Sequence, residues 1–303
     1  MRNVMSVDVE DYFHVEAFAS AIPSTEWHSY IPRVEGNVAR ILDLFAKYEV
    51  RATFFVLGWV AEKFPHLSRN IAAAGHEIGC HGYAHRRLHT MTPRQFQQDL
   101  RKATALLSDQ VGESIRSFRA PSFSIVRKTL WAYDILSEEG YSYDSSVFPV
   151  RHDLYGIPDA QRFPHWTISD RNARIFEFPP STLSYGGVSV GIGGGGYLRW
   201  LPYRITYWAL CHINHAERQP AAVYFHPWEI DPDQPRIRVG MKSRLRHYTN
   251  LSTTEGKIER LLQDFQFGTL SEVCLGHANY FAKPVGHRDS ADPRASSDVI
   301  TVP

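Results

Sequence analysis

A chain of 303 residues, 43% hydrophobic and 21% charged, has the size and balance of a globular protein able to bury a barrel-sized core. Lys and Arg number 33 against 32 Asp and Glu, so charge gives no argument for nucleic acid or an acidic polymer as partner. The three scattered cysteines Cys80, Cys211 and Cys274 fit a reducing compartment better than a disulfide framework. No run reaches 18 apolar residues and the opening "MRNVMSVDVEDYF" holds no signal-peptide core, so no membrane span and a cytoplasmic location are expected.

In chain order, "NVMSVDV" (3–9) reads as a strand ending in acids, followed by a helix-like stripe over 35–50 with Val38, Ile41, Leu42, Leu44 and Phe45. "RATFFVLG" (51–58) is a buried-strand run, 61–75 a helix stopped by Gly75, and "HEIGCH" a third strand. Residues 92–112 form a helix with Thr92 as N-cap, Pro93 in the first turn and Gly112 at the end. "SIRSFRAP" (114–121) is strand four, 128–140 a helix and "YSYDSS" (141–146) strand five. Strand–helix alternation of this kind predicts a parallel α/β architecture, with chemistry at the C-terminal strand ends.

Residues 173–202 are rich in Gly, Pro and aromatics, and the glycines at 193–196 lack the Lys and Ser/Thr of a phosphate loop. They read as a flexible or closely approached loop. "AAVYFHPWEI" (221–230) is a further buried strand; a basic stretch and a helix over 252–265 follow. The expected division is a catalytic domain over 1–230, an extension over 231–282 packed on it, and a disordered polar tail over 283–303.

Asp8, Glu10 and Asp11 cluster at the end of strand one, with Asp8 and Glu10 on one side by alternation. His81 and His85, four residues apart, can turn two imidazoles onto one ion. Two neutral imidazoles and one carboxylate leave a zinc-like ion an open position for water, while a second carboxylate stays free to take a proton. Arg119 in "FRAP" can hold that carboxylate ionised. Asp144 in "YSYDSS" and His226 in "YFHPWE", which also contains Glu229, offer an Asp–His acid pair.

In their order and spacing "SVDVED", "RATFFVLG", "GHEIGCHGYAH", "FRAPSFS", "YSYDSS" and "VYFHPWE" resemble the polysaccharide deacetylase family. This is carbohydrate esterase family four, which shares the nodulation-factor deacetylase homology domain. The opening "DVEDYFHVE" and the extension "RHYTNLSTTEGKIERLLQDFQFGTLSEV" resemble the branch linked to exosortase (PEP-CTERM-type) exopolysaccharide loci. The resemblance implies a distorted (β/α) barrel and metal-dependent removal of N-acetyl groups from N-acetylhexosamine units of a bacterial exopolysaccharide or its precursor. It places His81 and His85 at the metal histidines, Asp8 at the general base, Arg119 at its partner, and Asp144 and His226 at the acid pair.

Val9 departs from the family's adjacent aspartates. An Asp-x-Asp-like spacing makes Glu10 the preferred third ligand of one divalent ion, Zn2+ by ligand type, with Asp11 the alternative if the strand bulges. Ser122 and Phe123, in place of the usual aromatic directly after proline, and Trp228, a wall for the acetyl methyl, are expected at the substrate. The implied partner is an N-acetylated oligo- or polysaccharide, lipid-linked in one version, with polysaccharide-assembly proteins as further partners. Two rivals stand beside this reading. One is a metal-independent cyclic ureide hydrolase on the same fold, the other a catalytically silent sugar-binding subunit of an assembly system.

Overall fold

A computed structural model describes residues 1–168 and 174–281; the tail expected over 283–303 lies outside the described residues. Its frame is a curled, mostly parallel sheet built from β1 (Arg2–Val9), β2 (Thr53–Val56), β3 (Glu77–Cys80), β4 (Ser117–Phe118), β5 (Tyr143–Asp144), β6 (His165–Ile168), β7 (Arg174–Glu177) and β10 (Ala222–Phe225). The strand order is β10-β1-β2-β3-β4-β5-β7-β6, with only β6 antiparallel to its neighbour in this path. β2 and β10 are buried along their whole length, as strands covered on both faces must be, and this is why they read as unbroken apolar runs.

The crossovers are α1 (Val34–Lys47), α2 (Gly58–Lys63), α3 (Pro65–Ala73), α4 (Pro93–Val111) and α5 (Ala132–Glu138). α4 begins in a capping box: Gln95 N–H donates to Thr92 Oγ1 (3.3 Å) and Thr92 N–H to Gln95 Oε1 (2.9 Å). It ends at Gly112, whose φ of 74° suits a left-handed cap. The single helix expected over 61–75 is two, because Pro65 has no N–H to continue the ladder and starts a new helix instead.

Closure of the barrel is irregular. After β7 the chain crosses to the free edge of β10, where Ala222 N–H donates to Ser181 Oγ (2.7 Å) and Tyr224 N–H to Gly193 O (2.8 Å). A hairpin, β8 (Thr182–Tyr185) and β9 (Val188–Gly191), separates these two contacts. A Cβ on Gly193 would fall 2.3 Å from Ala222 O, and one on Gly194 2.3 Å from Tyr224 O. The glycine run is therefore the closely approached loop, with glycine required where two backbones meet. The architecture is a distorted (β/α) barrel.

α6 (Gly195–Trp200) and α7 (Tyr203–Cys211) precede β10; α8 (Met241–Tyr248), α9 (Leu251–Asp264), β11 (Gln266–Gly268) and α10 (Leu270–Phe281) follow it. β11 pairs parallel with β1 through Arg2↔Gln266 to Val4↔Gly268. The 231–282 extension thus differs from a layer packed on a finished barrel: it donates a strand to the sheet. Asp8, His81, Arg119, Asp144 and His226 all fall at or just past the C-terminal ends of parallel strands.

Candidate active site

The β1–β2 register sets Asp8 opposite Phe55, buried at the strand end, and Glu10 follows in the first residue beyond the strand. Arg119, just past β4, is 1% exposed, which demands that its donors be met. Its Nη1 donates to Asp8 Oδ1 (2.7 Å) and Ser6 Oγ (2.9 Å), its Nε to Ser145 O (3.0 Å) and its Nη2 to Ser145 Oγ (2.8 Å). The guanidinium also lies over the Phe55 ring, 4.3 Å from its centroid. Asp8 is thereby fixed in one orientation with Oδ1 engaged and Oδ2 turned toward His226 Nε2, 3.8 Å away.

Beside this pair, one ligand atom each of Glu10, His81 and His85 lies within 4.8 Å of the other two. His81 Nδ1 is 2.8 Å from the Arg119 carbonyl, which can only accept, so Nδ1 carries the proton and Nε2 is left with its lone pair. Burial lowers the His81 pKa to about 4, keeping the ring neutral as a metal ligand must be. His85 takes φ of 50°, a conformation that costs a non-glycine residue energy and turns its ring back toward Glu10. Glu10 Oε2 is 2.8 Å from His85 Nε2, yet it is buried without an aligned hydrogen-bond donor. Burial alone would raise the Glu10 pKa, but the neighbouring His85, His226 and His81 outweigh it and hold it far below the carboxylate range. An ionised, orphaned oxygen among two imidazoles fits a divalent cation.

Asp11 lies outside this cluster. Its Oδ2 accepts the N–H groups of Arg33 (2.7 Å) and Val34 (2.9 Å), and its Oδ1 that of Tyr12 (2.9 Å). α1 has no side-chain cap of its own, and Asp11 supplies one from 22 residues upstream.

The acid side differs from expectation. His226 Nδ1 is 2.5 Å from Glu229 Oε1, and no hydrogen bond joins it to Asp144. Pro227 starts a short 3₁₀ turn that folds Glu229 back onto the ring three residues earlier. Burial disfavours a charged His226, but Glu229, then Glu10 and Asp8, overcome it and raise the pKa to about 9. Fully buried Glu229 faces Arg199 Nε across 3.3 Å through its other oxygen. Asp144 sits elsewhere because the β5–β7 register sets it opposite Glu177. Burial raises both acids, and Glu177, pushed up furthest with Asp144 beside it, holds the proton. Asp144 Oδ1 accepts from Ser146 Oγ (2.6 Å), which in turn accepts the Ala120 N–H (2.8 Å). Asp144 therefore braces the loop after Arg119.

That loop carries Ser122 and Phe123 at φ of 52° and 51°. Two successive residues in this sparsely populated region mark stored strain at the pocket wall. Phe123 N–H is used within the turn, to Ala120 O (3.0 Å). Trp228 is 5% exposed; its Nε1–H donates to Glu10 Oε1 (3.3 Å), and its ring stacks on both His226 and His247. Asp8, Glu10, His81, His85, Ser122, Phe123, His226 and Trp228 all line one cavity of about 170 Å3, with Tyr224 and Glu229. Sequence reading gave no role to Glu229, Arg199 or Ser146. Only Glu229 left a signal, its place two residues after Pro227.

Residues 29–141 match the family model for polysaccharide deacetylase, and residues 145–275 that for a domain of unknown function, DUF3473. A peptidoglycan deacetylase of Helicobacter pylori is 34% identical over 113 residues, 37% of this chain and 38% of that protein. A peptidoglycan-N-acetylglucosamine deacetylase of Bacillus cereus is 31% identical over 118 residues, 35% and 43% of the two chains. The chain thus spans less than half the length of these relatives. A solved structure from Mycobacterium smegmatis, assigned to the polysaccharide deacetylases, superposes with a TM-score of 0.57 at 18% identity, covering 97% of this chain and 96% of that one. An allantoinase superposes with a TM-score of 0.57 at 16% identity, covering 92% and 90%. The fold is shared by both chemistries and does not choose between them.

Proposed function

We propose that the chain is a hydrolase removing N-acetyl groups from N-acetylhexosamine units of a bacterial exopolysaccharide or its precursor, a reading supported by the match of residues 29–141 to the polysaccharide deacetylase family model. The observation that carries the reading is the meeting of three groups in one pocket: the Glu10/His81/His85 donors, the Asp8–Arg119 pair and the His226–Glu229 pair. Binding alone would not require a base and a differently tuned acid.

Glu10, His81 and His85 would hold one divalent ion, Zn2+ by its nitrogen and oxygen donor set, which when bound polarises the amide carbonyl and acidifies water. Asp8, kept in place by Arg119, takes the proton from the attacking water. The strained turn at Ser122, which lines the pocket, supplies a backbone N–H for the developing oxyanion. His226, held protonated by Glu229, delivers a proton to the leaving amine as the C–N bond breaks and acetate separates. Trp228 keeps Glu10 and His226 in register through its hydrogen bond and its stacking. The small cavity suits one acetamido group, with the rest of the glycan outside it.

The test pairs metal content with acetate release from N-acetylglucosamine oligomers. One ion per chain and acetate release, both lost in His81→Ala/His85→Ala, is the expected result. A protein that binds no divalent ion would overturn the ligand set; an ion without acetate release from any N-acetylated glycan would overturn the substrate class.

A further inference from the structure

The catalytic pocket opens onto a second cavity of about 870 Å3, sharing Glu16, Leu154, Tyr155, Gly196 and Arg199 with it. The outer wall of this cavity comes from three elements: Val190 on the β8–β9 hairpin, Trp200 at the end of α6, and Lys242 and Ser243 on α8. All three turn apolar side chains to solvent. On the hairpin Tyr185 is 93% and Val188 65% exposed; Trp200 is 53%, and on α8 Met241 is 78% and Leu245 54% exposed. Apolar exposure of this extent on three elements that line one cavity marks a surface with a partner.

Charge indicates which partner. Residues 234–254 contain Arg236, Arg238, Lys242, Arg244 and Arg246 and no Asp or Glu. Lys242 and Arg246 share Asp153, at 3.1 and 3.3 Å. Arg236, Arg238 and Arg244 are exposed, and none makes an ion pair among the described residues. On α8, Met241 and Leu245 stand one turn apart with Lys242 on one side and Arg244 on the other. An apolar stripe bordered by cations is the pattern of a helix lying in a lipid headgroup layer, where aromatic side chains such as Trp200 and Tyr185 also settle. Five cations and no acid over 234–254 match a uniformly anionic surface, which lipid headgroups present without a specific acidic counter-face.

We propose that this face docks on an anionic phospholipid bilayer, with the second cavity opening at headgroup level. Each cation near such a surface strengthens binding several-fold. Docking there would place the catalytic pocket one cavity away from membrane-borne substrate. The docking requires no catalysis, so it stands or falls separately from the deacetylase reading.

The experiment is flotation of the purified chain with unilamellar vesicles of phosphatidylcholine alone, or of equal parts phosphatidylcholine and phosphatidylglycerol. The expected result is at least roughly tenfold stronger partition to the anionic vesicles, weakened by salt. Met241→Ser/Leu245→Ser and, separately, Arg244→Glu should each lower it several-fold while leaving the circular dichroism spectrum and melting temperature as in wild type. Equal partition to both vesicles, no partition to either, or variants that fold and still bind as wild type would overturn the proposal. So would a concentration-dependent dimer abolished by the same variants, which would make a second copy the occupant.

Discussion

Replacing Glu229 by Gln keeps the shape beside His226 and removes the charge that works against its burial. The ring stands at about 9 where an ordinary histidine stands at 6.5, a difference worth roughly 3 kcal/mol in favour of the protonated form. Burial works against the charge, and among the favourable influences Glu229 stands ahead of Glu10 and Asp8, so removing it should return the ring to about the ordinary 6.5. As the proposed acid, His226 must be protonated, and activity is lost as pH rises through its pKa. At pH 8 the protonated fraction falls from about 0.9 to about 0.03, so kcat in Glu229→Gln should drop about thirtyfold. At pH 6 the protonated fraction falls only from about 1 to about 0.8, so kcat should be nearly unchanged. The assay is a pH profile of kcat on an N-acetylglucosamine oligomer, with metal content as the control. Stability should move in the same window. A histidine raised on folding contributes fully below pH 6.5, and its contribution is lost between there and about pH 9. Urea unfolding of the wild type should therefore weaken across that range, and the variant should not. A kcat reduced equally at every pH, with the basic limb unmoved, would refute the reasoning.

Three further outcomes follow from the same geometry. Glu10→Gln should lose the divalent ion, whereas Asp11→Ala should retain it and instead lose about 1–2 kcal/mol of stability with the cap of α1; metal analysis and denaturant unfolding separate the two acids. Asp144→Asn and Ser146→Ala should lower kcat about tenfold by loosening the Ala120 N–H, with the basic pH limb in place; a limb shifted by Asp144→Asn would restore an Asp144–His226 pair. Gly194→Ala puts a Cβ 2.3 Å from Tyr224 O and should cost about 3 kcal/mol or more, seen as a fall in melting temperature of several degrees.

Much of the site was legible because its residues terminate strands that are unmistakable in sequence. "SVDVED", "HEIGCHGYAH" and "FRAP" each follow a buried run, and parallel strands in register carry their ends to one face. The two histidines meet Glu10 for that reason. The Asp144–His226 pairing failed because partners across a sheet depend on strand order, which local pattern does not encode. β7 lies in the stretch of Gly, Pro and aromatics that read as irregular, so nothing announced Glu177 opposite Asp144. Glu229 was within reach, since Pro227 favours a tight turn that returns Glu229 to His226, three residues earlier. Arg199, 27 residues before His226 in a segment without periodicity, had no local signal at all. The two-helix break at Pro65 was likewise written in the sequence, and the apolar periodicity on either side masked it.

Arg199 also explains what the extension contributes to the site. A buried guanidinium beside Glu229 must satisfy its remaining donors, and it does so on main-chain carbonyls: Nη2 to Arg246 O (2.7 Å), Nη1 to His247 O (2.8 Å) and Thr249 O (3.3 Å). Those carbonyls belong to the end of α8 and the turn into α9. Lys257 on α9 adds a second clamp, donating to the carbonyls of Leu198, Arg199 and Leu201 at the end of α6 (3.1, 2.7 and 2.9 Å). His247, from the same turn, stacks on Trp228 at 4.1 Å, and Trp228 holds Glu10. The residues proposed as ligands, base and oxyanion turn, Glu10, His81, His85, Asp8, Arg119 and Ser122, all precede residue 145. His226, Trp228, Glu229 and Arg199 lie within the 145–275 match. Cutting the chain at 230 would leave His226 and Glu229 in place but strip Arg199 of its acceptors and β1 of its β11 partner. The extension therefore braces the His226–Glu229 half of the pocket, through Arg199 and Trp228, without supplying its side chains, and a boundary at 230 would cut through those supports.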